Sequence, residues 1–168
     1  LLLSNKISDV PMSETLRYLN LETEEKNFYT LLLYARNFSV LFGEEETMEE
    51  EQKQELSTLI IKNVVGEMLG EKYCCELVEM EEGIAGILML DRLQPNPKQA
   101  VRGILRHAKT FLQENVNLEL CGVLGSLRDN LIGISDAYQE CIYTKEYCLI
   151  REMDDFVAAD EIEKNETR

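Results

Sequence analysis

The apolar positions along the chain fall into runs whose period switches between that of a strand and that of a helix. Phe28 to Tyr34 is nearly all apolar, with Tyr29, Thr30 and Tyr34 suited to a strand. So continuous a run predicts a central strand covered on both faces. From Gln52 to Leu69 the apolar residues are Leu56, Leu59, Ile60, Val64, Met68 and Leu69. Spacings of three and four predict one helical face, and Gly70 is the expected terminator. Tyr73 to Val78 reads as a strand, Glu79-Met80-Glu81-Glu82-Gly83 as a turn, and Ile84 to Leu90 as a second apolar strand. Together they predict a β-hairpin.

Pro95-Asn96-Pro97 opens a further helix, with Ala100, Val101, Ile104, Leu105, Ala108, Phe111 and Leu112 as its buried stripe. Leu118 to Leu124 is a short strand bounded by Gly122 and Gly125. A last helix runs from about Asp129 to Tyr147, with Leu131, Ile134, Tyr138, Cys141 and Ile142 on one side. Phe156 to Ala159 is expected as a closing edge strand, and Asp160 to Arg168 as a frayed tail or linker. Upstream, residues 1–21 read as helix, broken at Pro11 and restarted at Ser13-Glu14, and Thr23 to Asn27 is turn-like. Gly43 to Glu51 is acidic and unpatterned, an expected exposed loop.

The resulting order places a hairpin mid-chain and helices between the other strands. It implies an α+β fold with helices packed on a sheet. The expected layout is a helical lead-in or coupling segment over 1–27, one domain over 28–160 and a tail or linker over 161–168. The chain lacks an initiating Met and opens on Leu1-Leu2-Leu3, which reads as the middle of a helix. It is therefore expected to be a piece of a longer protein.

Composition narrows the function more than the fold. The 168 residues match the size of one domain, and 45% are hydrophobic, enough for a core. No stretch approaches the roughly 20 apolar residues of a membrane span. A net charge of −15, from 32 acidic and 17 basic residues, repels phosphate backbones. Direct nucleic-acid binding and membrane contact by this segment are not expected. Cys74, Cys75, Cys121, Cys141 and Cys148 are odd in number and lack CxxC spacing. They read as reduced thiols of a cytoplasmic protein. Cys74 and Cys75, adjacent on a strand, should point to opposite faces.

The chemistry of common active sites is missing. His107 is the single histidine, and it reads as a surface or boundary residue. No phosphate loop, GxGxxG or GxSxG occurs, and no spacing suits zinc. Glu79, Glu81 and Glu82 fall at a hairpin tip, where catalytic pairing would need burial. No catalytic residue, metal ligand or cofactor is therefore assigned, and no ligand-contacting residue is identified.

Three segments carry a resemblance. Leu120-Cys121-Gly122-Val123-Leu124-Gly125-Ser126-Leu127 resembles the Ser-Ile-Gly-Ile-Gly strand of GGDEF-type nucleotide cyclase domains and their degenerate relatives. Ala137-Tyr138-Gln139-Glu140-Cys141, followed by Tyr147, is similar to the Ser-Tyr-x-Glu-Ala pattern in the helix after that strand. That helix is typical of the GGDEF-like middle domain of large AraC-family transcription regulators. Leu2-Leu3-Ser4-Asn5-Lys6-Ile7 resembles the lead-in to the same domain. The resemblance implies a ferredoxin-related, cyclase-like sheet rich in antiparallel pairs. It also implies a DNA-binding domain after it and a receiver or membrane-tethered sensor before it.

The departures set the expected function. The turn that would carry Gly-Gly-Asp-Glu-Phe reads Glu79-Met80-Glu81-Glu82-Gly83, so close backbone approach to a nucleotide is lost. The first strand should end in a metal-binding Asp, but that region reads Tyr34-Ala35-Arg36-Asn37-Phe38, and a cation opposes Mg²⁺. The expectation is a non-catalytic signal-relay or dimerisation domain of a transcription regulator. Its partners would be the regulator's own DNA-binding and sensor domains and a second copy in a homodimer. The competing expectation is a domain that senses a small molecule or nucleotide in a remnant of the cyclase cleft.

Overall fold

The computed structural model describes residues 26–36 and 49–166, with side chains through Ile162. The expected helix over 1–21, its lead-in motif and the loop over 43–48 lie outside these residues. Strand β1 is Lys26–Ala35, helix α1 Glu50–Gly70, strands β2 and β3 Cys74–Met80 and Gly83–Asp91. Helix α2 is Pro97–Val116, strand β4 Leu120–Leu124, helix α3 Ile134–Ile150 and helix α4 Ala159–Glu166. The strands form one sheet in the order β2-β3-β1-β4, and every neighbouring pair is antiparallel. The protein is thus α+β, with helices on both sheet faces. No helix among the described residues is long and apolar enough to cross a membrane.

The strand period divides the core. On β1, Tyr29, Leu31 and Leu33 face α1 and α2 and join Ile61, Val65, Leu105 and Leu112. Phe28 and Leu32 point the other way, onto Ile134, Tyr138, Cys141 and Cys148 of α3. β1 needs an unbroken apolar run because both faces are covered. Cys74 is exposed while Cys75 packs on the α1 side, the opposed placement expected of adjacent strand residues.

Several boundaries differ from expectation. The centre of the buried face of α1 is Ser57, Ile61, Val65 and Leu69, and Leu59 lies on the solvent side. Leu56, Ile60, Val64 and Met68 flank that line, half-buried. Gly70 does not break α1 with a left-handed turn. The helix runs through it, and Glu71 continues in right-handed geometry. The hairpin turn is only Glu81-Glu82, because Met80 pairs with Gly83 across it. Glu79 and Met80 therefore belong to β2.

Helix α2 starts on Pro97, where the missing N–H costs nothing, and ends on Asn117 in the left-handed region (φ 56°). Its buried line is Val101, Arg102, Leu105, Ala108 and Leu112. Phe111, expected in the stripe, is 42% exposed. It stands at the rim of the face, and the line from Val101 to Leu112 already meets the sheet. Phe156 to Ala159 does not form an edge strand: one parallel bridge, Leu124 to Ala158, is all that pairs there. The chain from Ala159 to Glu166 is helical, although Asp160 onward was expected as frayed tail, and Ile162 is buried against the α3 side of the core.

Candidate functional site

The end of β1, the β2–β3 turn, the first half of α1 and the last half of α3 surround a cleft of about 760 Å³. Its walls carry Arg36 and Lys145 against Glu51, Glu55, Glu79, Glu81 and Glu82. Arg36 is exposed and lies 4.0 Å from Glu119. Among the described residues no group of His, Cys, Asp and Glu could hold a metal ion. His107 is exposed on α2, away from this cleft.

The hairpin tip is tied down. Tyr138 Oη donates to Glu82 Oε2 at 2.5 Å. Lys145 Nζ donates to the Glu82 carbonyl and sits 4.7 Å from the centre of the Tyr34 ring. Burial, helped by the Glu82 bond, pushes the Tyr138 phenol well above its usual range, so it stays a donor. Burial lowers the Lys145 pKa, and Glu82 opposes the shift. Glu82 is thus half-buried and bonded, not a solvated tip residue as expected, while Glu79 and Glu81 remain exposed.

The helix motif has a packing meaning. Ala137 lies so close to Gly125 that a Cβ there would come 2.7 Å from the Ala137 carbonyl oxygen. Tyr138 holds the hairpin. Glu140 accepts from Ser126 N at 3.2 Å, Ser126 Oγ at 2.8 Å and Arg128 Nη2 at 2.7 Å. Cys141 is buried, and its Sγ donates to the Thr30 carbonyl at 3.4 Å. Gln139 alone of the five is exposed. Ala137, Tyr138, Glu140 and Cys141 therefore dock α3 onto β1, the hairpin and the loop after β4. Tyr147 packs at the edge of the same core, with the Arg151 guanidinium 3.6 Å from its ring centre.

The strand motif is explained in the same terms. A Cβ on Gly122 would meet Leu33 Cδ2 at 2.7 Å, so β4 passes too close to β1 and Phe156 for a side chain. Sequence reading missed Lys145 and Arg128. Their partners lie 63 and 12 residues away, and nothing local marks either one.

The cysteines are placed by packing. Burial pushes the Cys75 and Cys121 thiols up to about 11, and raises Cys141 and Cys148 as well. A thiol reagent at neutral pH should label Cys74 rapidly and the other four slowly. Mass spectrometry of briefly labelled protein checks this, and fast labelling of Cys121 or Cys141 would contradict the packing.

A scan against protein-family models finds no match to this chain. A search of curated proteins finds no relative at a significant level of similarity.

Proposed function

We propose that this chain is a non-catalytic regulatory domain, a degenerate cyclase-like module that relays or supports association within an AraC-family transcription regulator. One observation carries the reading. The hairpin tip that an active cyclase leaves open as a glycine turn is here a Glu81-Glu82 turn fastened to α3 by Tyr138 and Lys145. A fastened turn serves packing and gives no close backbone approach to a nucleotide. The order strand–helix–strand–strand–helix–strand with sheet order β2-β3-β1-β4 supports the ferredoxin-related class. Arg36 at the end of β1 adds a cation where Mg²⁺ would have to sit. DNA contact, and the cytoplasmic setting it implies, belong in this reading to the rest of the regulator.

Incubation with GTP and Mg²⁺ should give no cyclic product. Light scattering over a hundredfold range of concentration tests the association half. A self-associating species is expected, and a strict monomer throughout would leave relay without dimerisation. Formation of a cyclic dinucleotide would overturn the reading.

The cleft itself favours a second reading, a small-molecule sensor. Its volume of about 760 Å³ falls within the usual range for ligand pockets. The excess of carboxylates on its walls suits an amine better than a polyphosphate. A thermal-shift screen separates the two, since a ligand at a hundred times its Kd stabilises by about 2.7 kcal/mol. Stabilisation by cationic metabolites would favour the sensor, and stabilisation by none would favour the relay.

A further inference from the structure

Strand β2 ends the sheet. It joins β3 through the two-residue turn Glu81-Glu82, with Met80 opposite Gly83. A two-residue turn closes on a hydrogen-bonded pair, and such pairs alternate with unbonded ones along an antiparallel ladder. The even positions of β2, from Cys74 to Met80, therefore direct their N–H and C=O groups to β3. Cys75, Leu77 and Glu79 turn theirs outward, and among the described residues no strand pairs with them. The other edge of the sheet differs. β4 is five residues long, and Leu124 N donates to Val157 O beside the bridge to Ala158.

The sheet face away from α1 is open at this same edge. α3 packs chiefly on β1 and β4. Val78 on β2, and Ile87 and Met89 on β3, are left half-buried there. Outward backbone groups beside apolar side chains make a template for one more strand.

The sequence of β2 suits a second copy of itself. A two-fold axis through Leu77 sets Leu77 opposite Leu77, Cys75 opposite Glu79, Glu76 opposite Val78 and Cys74 opposite Met80. This register bonds the outward-turned residues to one another. No acid faces an acid, and Lys72, the one cation between Lys62 and Arg92, comes beside Glu82 of the second copy. A step either way sets Glu76 against Glu76 or Leu77 against Glu79. Like charges directly opposite destabilise a strand pair, and an acid against Leu77 gains nothing.

We propose that β2 is the edge of a homodimer, joining two four-stranded sheets into one about Leu77. The self-association inferred above then runs through this edge, and the assignment rests on that reading.

Sedimentation velocity on the intact chain, over a wide range of concentration, should show a monomer–dimer equilibrium. Glu79→Pro removes an outward N–H from both copies and leaves the bonds to β3 in place, so the dimer should weaken about tenfold or more. Lys72→Glu, an exposed change, should weaken it too, and it serves if the proline variant fails to fold. Met80→Cys reads the register. Across the two-fold, its Cα and that of Cys74 lie about 4.5 Å apart, within disulfide reach. Within one chain the two positions are the ends of β2, about 20 Å apart, and cannot join. Oxidised glutathione should therefore give a dimer linked between Cys74 and the introduced thiol, identified by peptide mapping. A monomer at every concentration would overturn the proposal together with self-association. A dimer that both charge and proline variants leave intact, or that forms no such link, would overturn the edge alone and place association on another surface.

Discussion

Gly83→Ala should destabilise the protein by about 2–5 kcal/mol, the sum of backbone strain and overpacking. Gly83 opens β3 with φ 146°, a conformation that L side chains rarely adopt. An added Cβ would lie 2.5 Å from the Leu33 carbonyl oxygen and 3.3 Å from Leu32 Cδ1. The first of these is backbone in the central strand, and Leu33 is in register with Ile84, so neither strand can yield alone. The start of β3 would lift from β1 and take Glu82 away from Tyr138. At about 2–4 °C per kcal/mol for a chain of this size, the melting temperature should fall by roughly 5–15 °C. Gly103→Ala is the control of opposite sign. Gly103 is exposed in the middle of α2 and nothing stands within 4 Å of its would-be Cβ. That change should stabilise by about 0.5–1 kcal/mol. Circular dichroism melts read both, and a Gly83→Ala protein melting within 2 °C of the parent would show that the turn has room to relax.

The contrast between these two glycines explains what sequence alone could show. Element identity was legible wherever one local rule dominated. The nearly continuous apolar run from Phe28 to Tyr34 predicts a strand covered on both faces, and it is one of the two inner strands of the sheet. The periodic stripe of α2 was legible too, apart from its rim. Phe111 lies outside because a spacing of three or four marks a face but not its edge. The turn is shorter than its acidic sequence suggests because Glu79, a weak strand former, pairs with Ile84, and Met80 pairs with Gly83.

The tail was the larger miss. The stretch from Asp160 onward read as a frayed acidic and basic tail, yet Asp160 and Glu161 are satisfied by Lys98 and Arg102, some sixty residues upstream. Pairing over that distance leaves no local trace. The candidate site was hidden for the same reason. Glu82 and Tyr138 are 56 residues apart, and only the folded sheet brings the turn under α3.

Glu140→Ala should cost about 2–4 kcal/mol, because it strips a partly buried cation of its partner. The side chains of Arg128 and Glu140 are 31% and 23% exposed, so solvent screens the pair only in part. Arg128 Nε is already buried without a partner, and losing Glu140 would leave Nη2 without its carboxylate as well. The same carboxylate holds Ser126 by its N–H and its hydroxyl, which fixes the loop between β4 and α3. That loop in turn pairs with β1 through the reciprocal Phe28 and Arg128 backbone bonds, at 2.7 and 2.9 Å. Loss of stability should therefore come with faster amide exchange at Phe28 and Arg128, at the edge of the sheet. Glu140→Gln keeps the shape and one acceptor but not the charge, so it should recover about half of the loss. The size of that recovery separates charge from geometry. An Ala variant that melts with the parent would mean that apolar contact alone holds α3, and that the glutamate in the helix motif has a task other than docking.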